Sequence, residues 1–294
     1  MAVPTVTSPQ APQVTSAIRQ AASATGTSFD YLLATAQIES GLNPGAQAQT
    51  SSAGGLFQFI DQTWLGIVKA VGPTLGFGNY SQAIQRGADG RYQVVDPAAR
   101  QAILGLRNDP TASATMAGAF TRTNAAQLFQ SIGRKPTDGE LYMAHFLGAD
   151  GAGKLISAVS NQPQAAAATL FPAAASANRS IFYDGSRPRT VAEVYSRIDA
   201  RFQAARTAVL ASPTTAAAKA PDTAGMTQVL AAASQTQAAM PDDRPLFQAM
   251  FSDRGGSPVA PTVGGLWTQA AGSNGLLDLF TDSPRTGWRG MFEG

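Results

Sequence analysis

The residue best placed to do chemistry in this chain is a single carboxylate, Glu39, within the run Ala36-Gln37-Ile38-Glu39-Ser40-Gly41-Leu42-Asn43-Pro44. Over residues 30–40, Leu32, Ala36 and Glu39 fall at steps of four and three, which is one stripe of a helix. The neighbours on that stripe favour burial, and partial burial disfavours the ionised carboxylate and raises its pKa. A carboxylic acid still protonated near neutral pH can donate to the leaving oxygen of a glycosidic bond, which is general acid catalysis. The competing reading is a helix-end glutamate with its tip in solvent, mildly disfavoured there by the helix dipole.

A dozen residues further on stands Gly54-Gly55-Leu56-Phe57-Gln58-Phe59. Its two glycines permit positive φ and close backbone approach. Gln58 brings two donors and an acceptor, suited to a hydroxyl or an N-acetyl group. Taken alone, the alternating apolar residues equally fit a short strand. A glycosidase that works with two carboxylates needs its second acid about 5 to 9.5 Å from the first. Asp61 is the nearest candidate, yet its position before Gln62-Thr63-Trp64 suits a helix N-cap. Asp96, before Pro97, has the same explanation.

The elements that must position these groups read as helices. A first helix is predicted over 14–24, stopped by Gly26, and a second opens at Thr27-Ser28-Phe29-Asp30 with capping-box-like spacing. Gly41 suits the position after that second helix, and Pro44 blocks continuation. Residues 45–60 are expected to form a loop with at most a short β-hairpin. Another helix runs from 61 to near Gly72, and Gly, Pro and Asn over 72–90 suggest a long surface excursion. Further helices are predicted over 97–106, 111–129, 137–147, 151–159 and 190–210, with capping boxes at Thr137/Glu140 and Thr190/Glu193. Residues 178–184 read as an ordered loop.

Composition sets the outer limits. The 294 residues are 44% hydrophobic and 14% charged, enough to bury a core beneath an unusually uncharged surface. A formal charge of +2 gives no case for nucleic acid as a partner. With no cysteine and a single histidine, disulfides, thiolate chemistry and a His/Cys metal cluster are excluded, and no cofactor is implied. The first residues have neither a basic n-region nor an apolar h-region, so they do not read as a secretory signal. No run approaches the eighteen or so apolar residues of a membrane span. The expected organisation is a flexible lead-in over 1–11, a mainly α-helical domain over 12–210, a low-complexity linker over 211–274 and a short apolar docking segment over 275–294. The Ala, Thr, Ser and Gln of the linker do not repay their ordering entropy, so the tail is expected to be largely disordered.

Three motifs together resemble the soluble lytic transglycosylases and goose-type lysozymes. They are Ala36-x-x-Glu39-Ser40-Gly41-Leu42-Asn43-Pro44, Gly55-Leu56-Phe57-Gln58-Phe59 and Ala144-His145-Phe146-Leu147-Gly148. The resemblance covers roughly residues 12–205 and implies a lysozyme-like helical fold. It makes Glu39 the catalytic residue and sets Ser40, Gly55, Leu56, Phe57, Gln58 and His145 as candidates for substrate binding; Tyr183 joins them as the aromatic residue expected to reach the cleft, from its place in a loop between helices. The third motif is similar to a subgroup of phage and proteobacterial wall-degrading proteins, with His145 where the wider family has tyrosine. Gly54 stands where many relatives have serine.

What the resemblance implies is cleavage of the bond between N-acetylmuramic acid and N-acetylglucosamine in peptidoglycan, with a 1,6-anhydro product and Glu39 as acid and then base. A lysozyme-type hydrolase using Glu39 and Asp61 is the alternative within enzymes. An alternative of another class is a non-catalytic structural or docking component of a flagellar or phage assembly. In either case action at the periplasmic cell wall is expected, with delivery by a non-Sec route or as a phage component and the tail as a possible partner-docking segment. The aromatic residues Phe57, Phe59, Trp64, Tyr92, Phe146 and Phe182 are expected mainly in the core. The arginines over 187–206 are expected on a solvated face.

Overall fold

A computed structural model of the chain describes residues 11–49 and 51–211. The expected lead-in (but for Ala11), linker (but for Ala211) and docking segment lie outside these residues. Helix α1, Ala11–Thr25, buries Val14, Ala17, Ile18 and Ala21 at three- and four-residue steps. Helix α2, Phe29–Ser40, is capped by Ser28, whose Oγ accepts the Tyr31 N–H at 3.3 Å. The box expected from Thr27 is therefore shifted by one residue. Gly41 ends α2 in the left-handed region at φ 61°, as its position predicts.

Helix α3, Asp61–Val71, leads into a 3-10 turn, Gly72–Leu75, and a short α4, Gly78–Ala83. An antiparallel hairpin follows, β1 Gln85–Arg86 with β2 Tyr92–Gln93. Residues 72–90, expected as a surface excursion, thus hold regular structure. Asp96 caps α5, Pro97–Gly105, accepting from Ala98 N at 3.4 Å and Ala99 N at 2.8 Å. Helix α6, Pro110–Ile132, starts one cap earlier than expected, at Asp109.

Helix α7, Asp138–Asn161, joins the two helices expected on either side of residue 150. Gly148 breaks its regularity at φ 76° and ψ 161°, so the join is a kink. Its capping box is reciprocal: Thr137 Oγ1 accepts from Glu140 N, and Glu140 accepts from Thr137 N. Glu140 also takes Arg134 through both guanidinium nitrogens, at 2.6 and 2.8 Å, and the Tyr195 hydroxyl at 3.2 Å. Burial opposes charge on Glu140, but these donors outweigh it and lower its pKa.

The expected loop at 178–184 is instead a helical turn and a strand. Helices α8, Ala167–Leu170, α9, Pro172–Ala177, and α10, Arg179–Phe182, precede a second antiparallel hairpin, β3 Tyr183–Asp184 with β4 Arg187–Pro188. Helix α11, Val191–Ala211, buries Val194, Ile198 and Phe202 at four-residue steps. Arg187 and Arg189 precede this helix, and Arg187 bonds Glu193 through both nitrogens, at 2.9 and 3.0 Å. The architecture is mainly α, and its short hairpins lie at 85–93 and 183–188, not at 45–60. Residues 47–59 make only isolated bridges, Gln47 with Gly54 and Gly54 with Phe59. Gly55 and Gln58, at φ 78° and 49°, curl that segment out of the extended conformation a hairpin needs.

Helix α6 packs between α1 and α7, and α11 lies against α7 and α2. This brings the end of α2 and the first turns of α7 together although about a hundred residues separate them. Trp64, fully buried, donates Nε1–H to Ile103 O at 2.7 Å and so fixes α3 to α5. Among the described residues no helix is long and apolar enough to cross a membrane.

Candidate functional site

Glu39 sits in the last turn of α2 and is only 1% exposed. Leu32 and Ala36, its partners on the stripe, are fully buried. From α7, the Tyr142 hydroxyl donates to Glu39 Oε1 at 3.0 Å. His145 comes from the same helix, three residues on, with Nε2 3.8 Å from that oxygen. The Tyr142 and His145 rings stack at 6.1 Å between centroids and 13° between planes. Phe59 and Phe120 meet the His145 ring edge-on, each at 6.2 Å, and Phe202 stacks on Tyr142 at 5.7 Å.

These surroundings decide which groups carry protons. Burial lowers the His145 pKa to about 4, so the imidazole is neutral near pH 7 and its contact with Glu39 is not an ion pair. Burial, and then the charge of Glu39, raise the Tyr142 phenol well above its ordinary value. Tyr142 therefore stays protonated and remains a donor. Tyr31, whose ring lies tilted against Phe202 at 5.5 Å, is raised by burial as well.

A hydrogen bond ties the glycine-rich turn to the end of α2. Ser40 Oγ, beside Glu39, donates to Leu56 O at 2.8 Å. Leu56, Phe57 and Gln58 are fully buried, and Gln58 Nε2 donates to Gly55 O at 2.8 Å and to Ala46 O at 3.1 Å. The Gln58 amide hydrogens are thus committed to the backbone of its own turn. A Cβ at Gly55 would lie 2.0 Å from the Arg107 carbonyl oxygen, so only glycine fits there. A Cβ at Gly54 would lie 2.7 Å from Gln47 Oε1, so Gln47 fills the place of the family's serine. Among the described residues, the two non-glycine residues at positive φ are Leu42 and Gln58, one in each half of this site.

Two predicted positions differ from expectation. Asp61 is the first residue of α3 and not its N-cap, which is Ile60 with no side-chain cap. Its carboxylate lies 2.6 Å from Arg100 Nη2 and 3.0 Å from Arg107 Nη1. Bonds to two guanidiniums are stronger than a cap to one backbone N–H. Tyr183 lies on β3 with the Arg179 guanidinium 4.4 Å over its ring, apart from the contacts that gather around Glu39.

Sequence reasoning missed two residues. Tyr142 had a signal, since it stands three residues before His145 on one helical face. Arg107 had none. Its Nη1 donates to Ser52 O at 2.7 Å and Phe59 O at 2.8 Å, and its Nε donates to Leu104 O at 3.1 Å. One guanidinium therefore grips both limbs of the turn. The family model described as Transglycosylase SLT domain matches residues 16–100, a span that holds Glu39, Ser40 and the whole glycine-rich turn. Tyr142, His145 and Arg107 lie beyond that match. Over residues 16–100, then, the chain matches the lytic transglycosylase and lysozyme-like family.

Proposed function

We propose that this protein is a peptidoglycan lytic transglycosylase with Glu39 as its single catalytic carboxyl. The observation that supports this most is the contrast between two acids. Glu39 is held by a phenol among aromatic rings, while Asp61 is held between two guanidiniums. An acid donor must lose and regain its proton near neutral pH, and burial among apolar groups favours the protonated form. A carboxylate fixed by two cations is a poor base for activating water.

In the proposed reaction Glu39 protonates the glycosidic oxygen as the C1–O bond of N-acetylmuramic acid breaks. The acetamido oxygen of that sugar stabilises the positive carbon. The Glu39 carboxylate then takes the proton of the C6 hydroxyl, and O6 bonds to C1, giving the 1,6-anhydro end. An internal hydroxyl outcompetes water because its effective concentration is very high, about 10⁵ M or more when well oriented. Tyr142 fixes the plane of the carboxyl through Oε1. At 1% exposure Glu39 meets a glycan only once the atoms over it move aside. Ser40 and the turn Gly55–Gln58 form one wall of the site, His145 packs behind the acid, and Tyr183 contacts the strand further out.

Digestion of purified sacculi, followed by mass analysis of the fragments, tests this reading. Anhydro-muramyl ends are expected, and their absence would sink it. Reducing muramyl ends would favour the hydrolase, in which case Asp61→Asn should abolish cleavage. A docking component without catalysis would digest nothing with either Glu39 or Gln at that position. We further propose that residues 275–294 tether the enzyme to a flagellar or phage assembly at the cell wall. Their deletion should then change location and spare cleavage.

A further inference from the structure

The glycine-rich turn holds backbone conformations that persist only where the surroundings enforce them. Gln58 is a non-glycine residue at φ 49°, and Gly55 stands at φ 78°. A backbone bond from Gly54 N to Phe59 O at 3.2 Å closes the neck of the turn. Arg107, in the 3-10 turn Leu106–Asn108, meets this loop at three places. Its Nη1 donates to Ser52 O at 2.7 Å on one limb and to Phe59 O at 2.8 Å on the other. Its backbone carbonyl packs against Gly55, where a Cβ would come within 2.0 Å. The side chain is 9% exposed, its Nε donates to Leu104 O at 3.1 Å, and Asp61 Oδ1 lies 3.0 Å from Nη1. The guanidinium is therefore fixed before any ligand arrives.

At the other end of the turn, Leu56 O accepts Ser40 Oγ, beside Glu39, at 2.8 Å. A shift of the two limbs thus reaches the wall next to the acid, while Glu39 itself is held from α7 by Tyr142. We propose that Arg107 is a positioning residue for glycan binding. It fixes Gly55–Gln58 in the shape that accepts the sugar and takes no part in proton transfer. This rests on the glycan-cleaving reading above and adds to it a residue beyond the matched segment 16–100. A wall shaped in advance spares the ligand the cost of ordering it, so loosening the wall weakens ground-state and transition-state binding alike. Lysine cannot take its place. A single ammonium on a flexible stem does not bond Ser52 O, Phe59 O and Leu104 O together, as a rigid fork does.

The test measures kcat and KM of the full chain on soluble glycan strands, well below the unfolding temperature of each variant. Arg107→Lys should raise KM about tenfold and keep kcat within about twofold of the wild type. Ile18→Ala opens a cavity under α1, which packs on α6, and should destabilise the chain without moving KM. An equal rise of KM in Ile18→Ala would reduce Arg107 to general stability and overturn the proposal. An unchanged KM in Arg107→Lys, or a fall in kcat alone, would do the same. Calorimetric titration of a soluble tetrasaccharide of the strand into the Glu39→Gln chain, with and without Arg107→Lys, reads binding apart from cleavage. Arg107→Lys should weaken Kd about tenfold. An equal Kd, or no binding by the chain carrying Glu39→Gln alone, also overturns the proposal. If the wild type cleaves no strand, the enzymatic reading fails, and the titration still decides the role of Arg107.

Discussion

Glu39 and Asp61 stand on opposite sides of one glycine-rich turn, in opposite electrostatic settings. Glu39 closes a helix and faces a phenol, a neutral imidazole and aromatic rings. Asp61 opens a helix, where the dipole favours an anion, and meets two guanidiniums at 2.6 and 3.0 Å. The first setting is apolar with one neutral donor, and the second is cationic. The two carboxyls therefore differ in their partners.

The largest effect should come from exchanging the charge at each position. Glu39→Gln should lower sacculus cleavage about a thousandfold with little change in thermal stability, whereas Asp61→Asn should leave most of the activity. A reversed order would assign catalysis to the other side of the turn. Arg107→Met tests whether that side is scaffold. It removes the guanidinium that bonds both limbs of the turn, while Asp61 keeps Arg100, so urea unfolding should show a loss of about 2–4 kcal/mol. A loss below about 1 kcal/mol would leave Arg107 a surface ion pair like any other.

The single histidine makes the Glu39 side observable by pH. In the folded chain the His145 pKa is lowered to about 4, and in the unfolded chain it is about 6.5. Between these values the unfolded state binds the extra proton, so stability falls as pH drops through that window and gains nothing from this group above it. An NMR titration of the imidazole should show it neutral down to about pH 4. A midpoint near 6.5 would mean that the pocket is open to water. Tyr142→Phe is the mildest change: it removes one hydrogen bond, worth about 1 kcal/mol, and should slow cleavage by up to about tenfold without altering the fold. An unaffected rate would show that Glu39 needs no anchor.

Local rules carried the sequence reading a long way. Gly41 after the Glu39 helix, the Asp96-Pro97 start and the two capping boxes each satisfy backbone groups within four residues, and each stands where its spacing predicts. The apolar stripe that includes Glu39 is buried as its three- and four-residue spacing predicts. The hairpin expected over 45–60 failed because left-handed residues in the turn depend on Arg107, some fifty positions away. The N-cap expected at Asp61 failed because two distant guanidiniums outcompeted a local N–H.

The sequence by itself determined that the chain is helical, that one carboxyl lies on an apolar face and that a glycine-only turn follows it. Those features are set by periodicity, capping and the absence of a Cβ, all of which act within a few residues. Only the tertiary structure decided what surrounds each carboxyl. Tyr142 reaches Glu39 across 103 positions, because α6 and α11 bring α7 against α2. Burial and charge partners fix a carboxyl's chemistry, and both belong to neighbours in space.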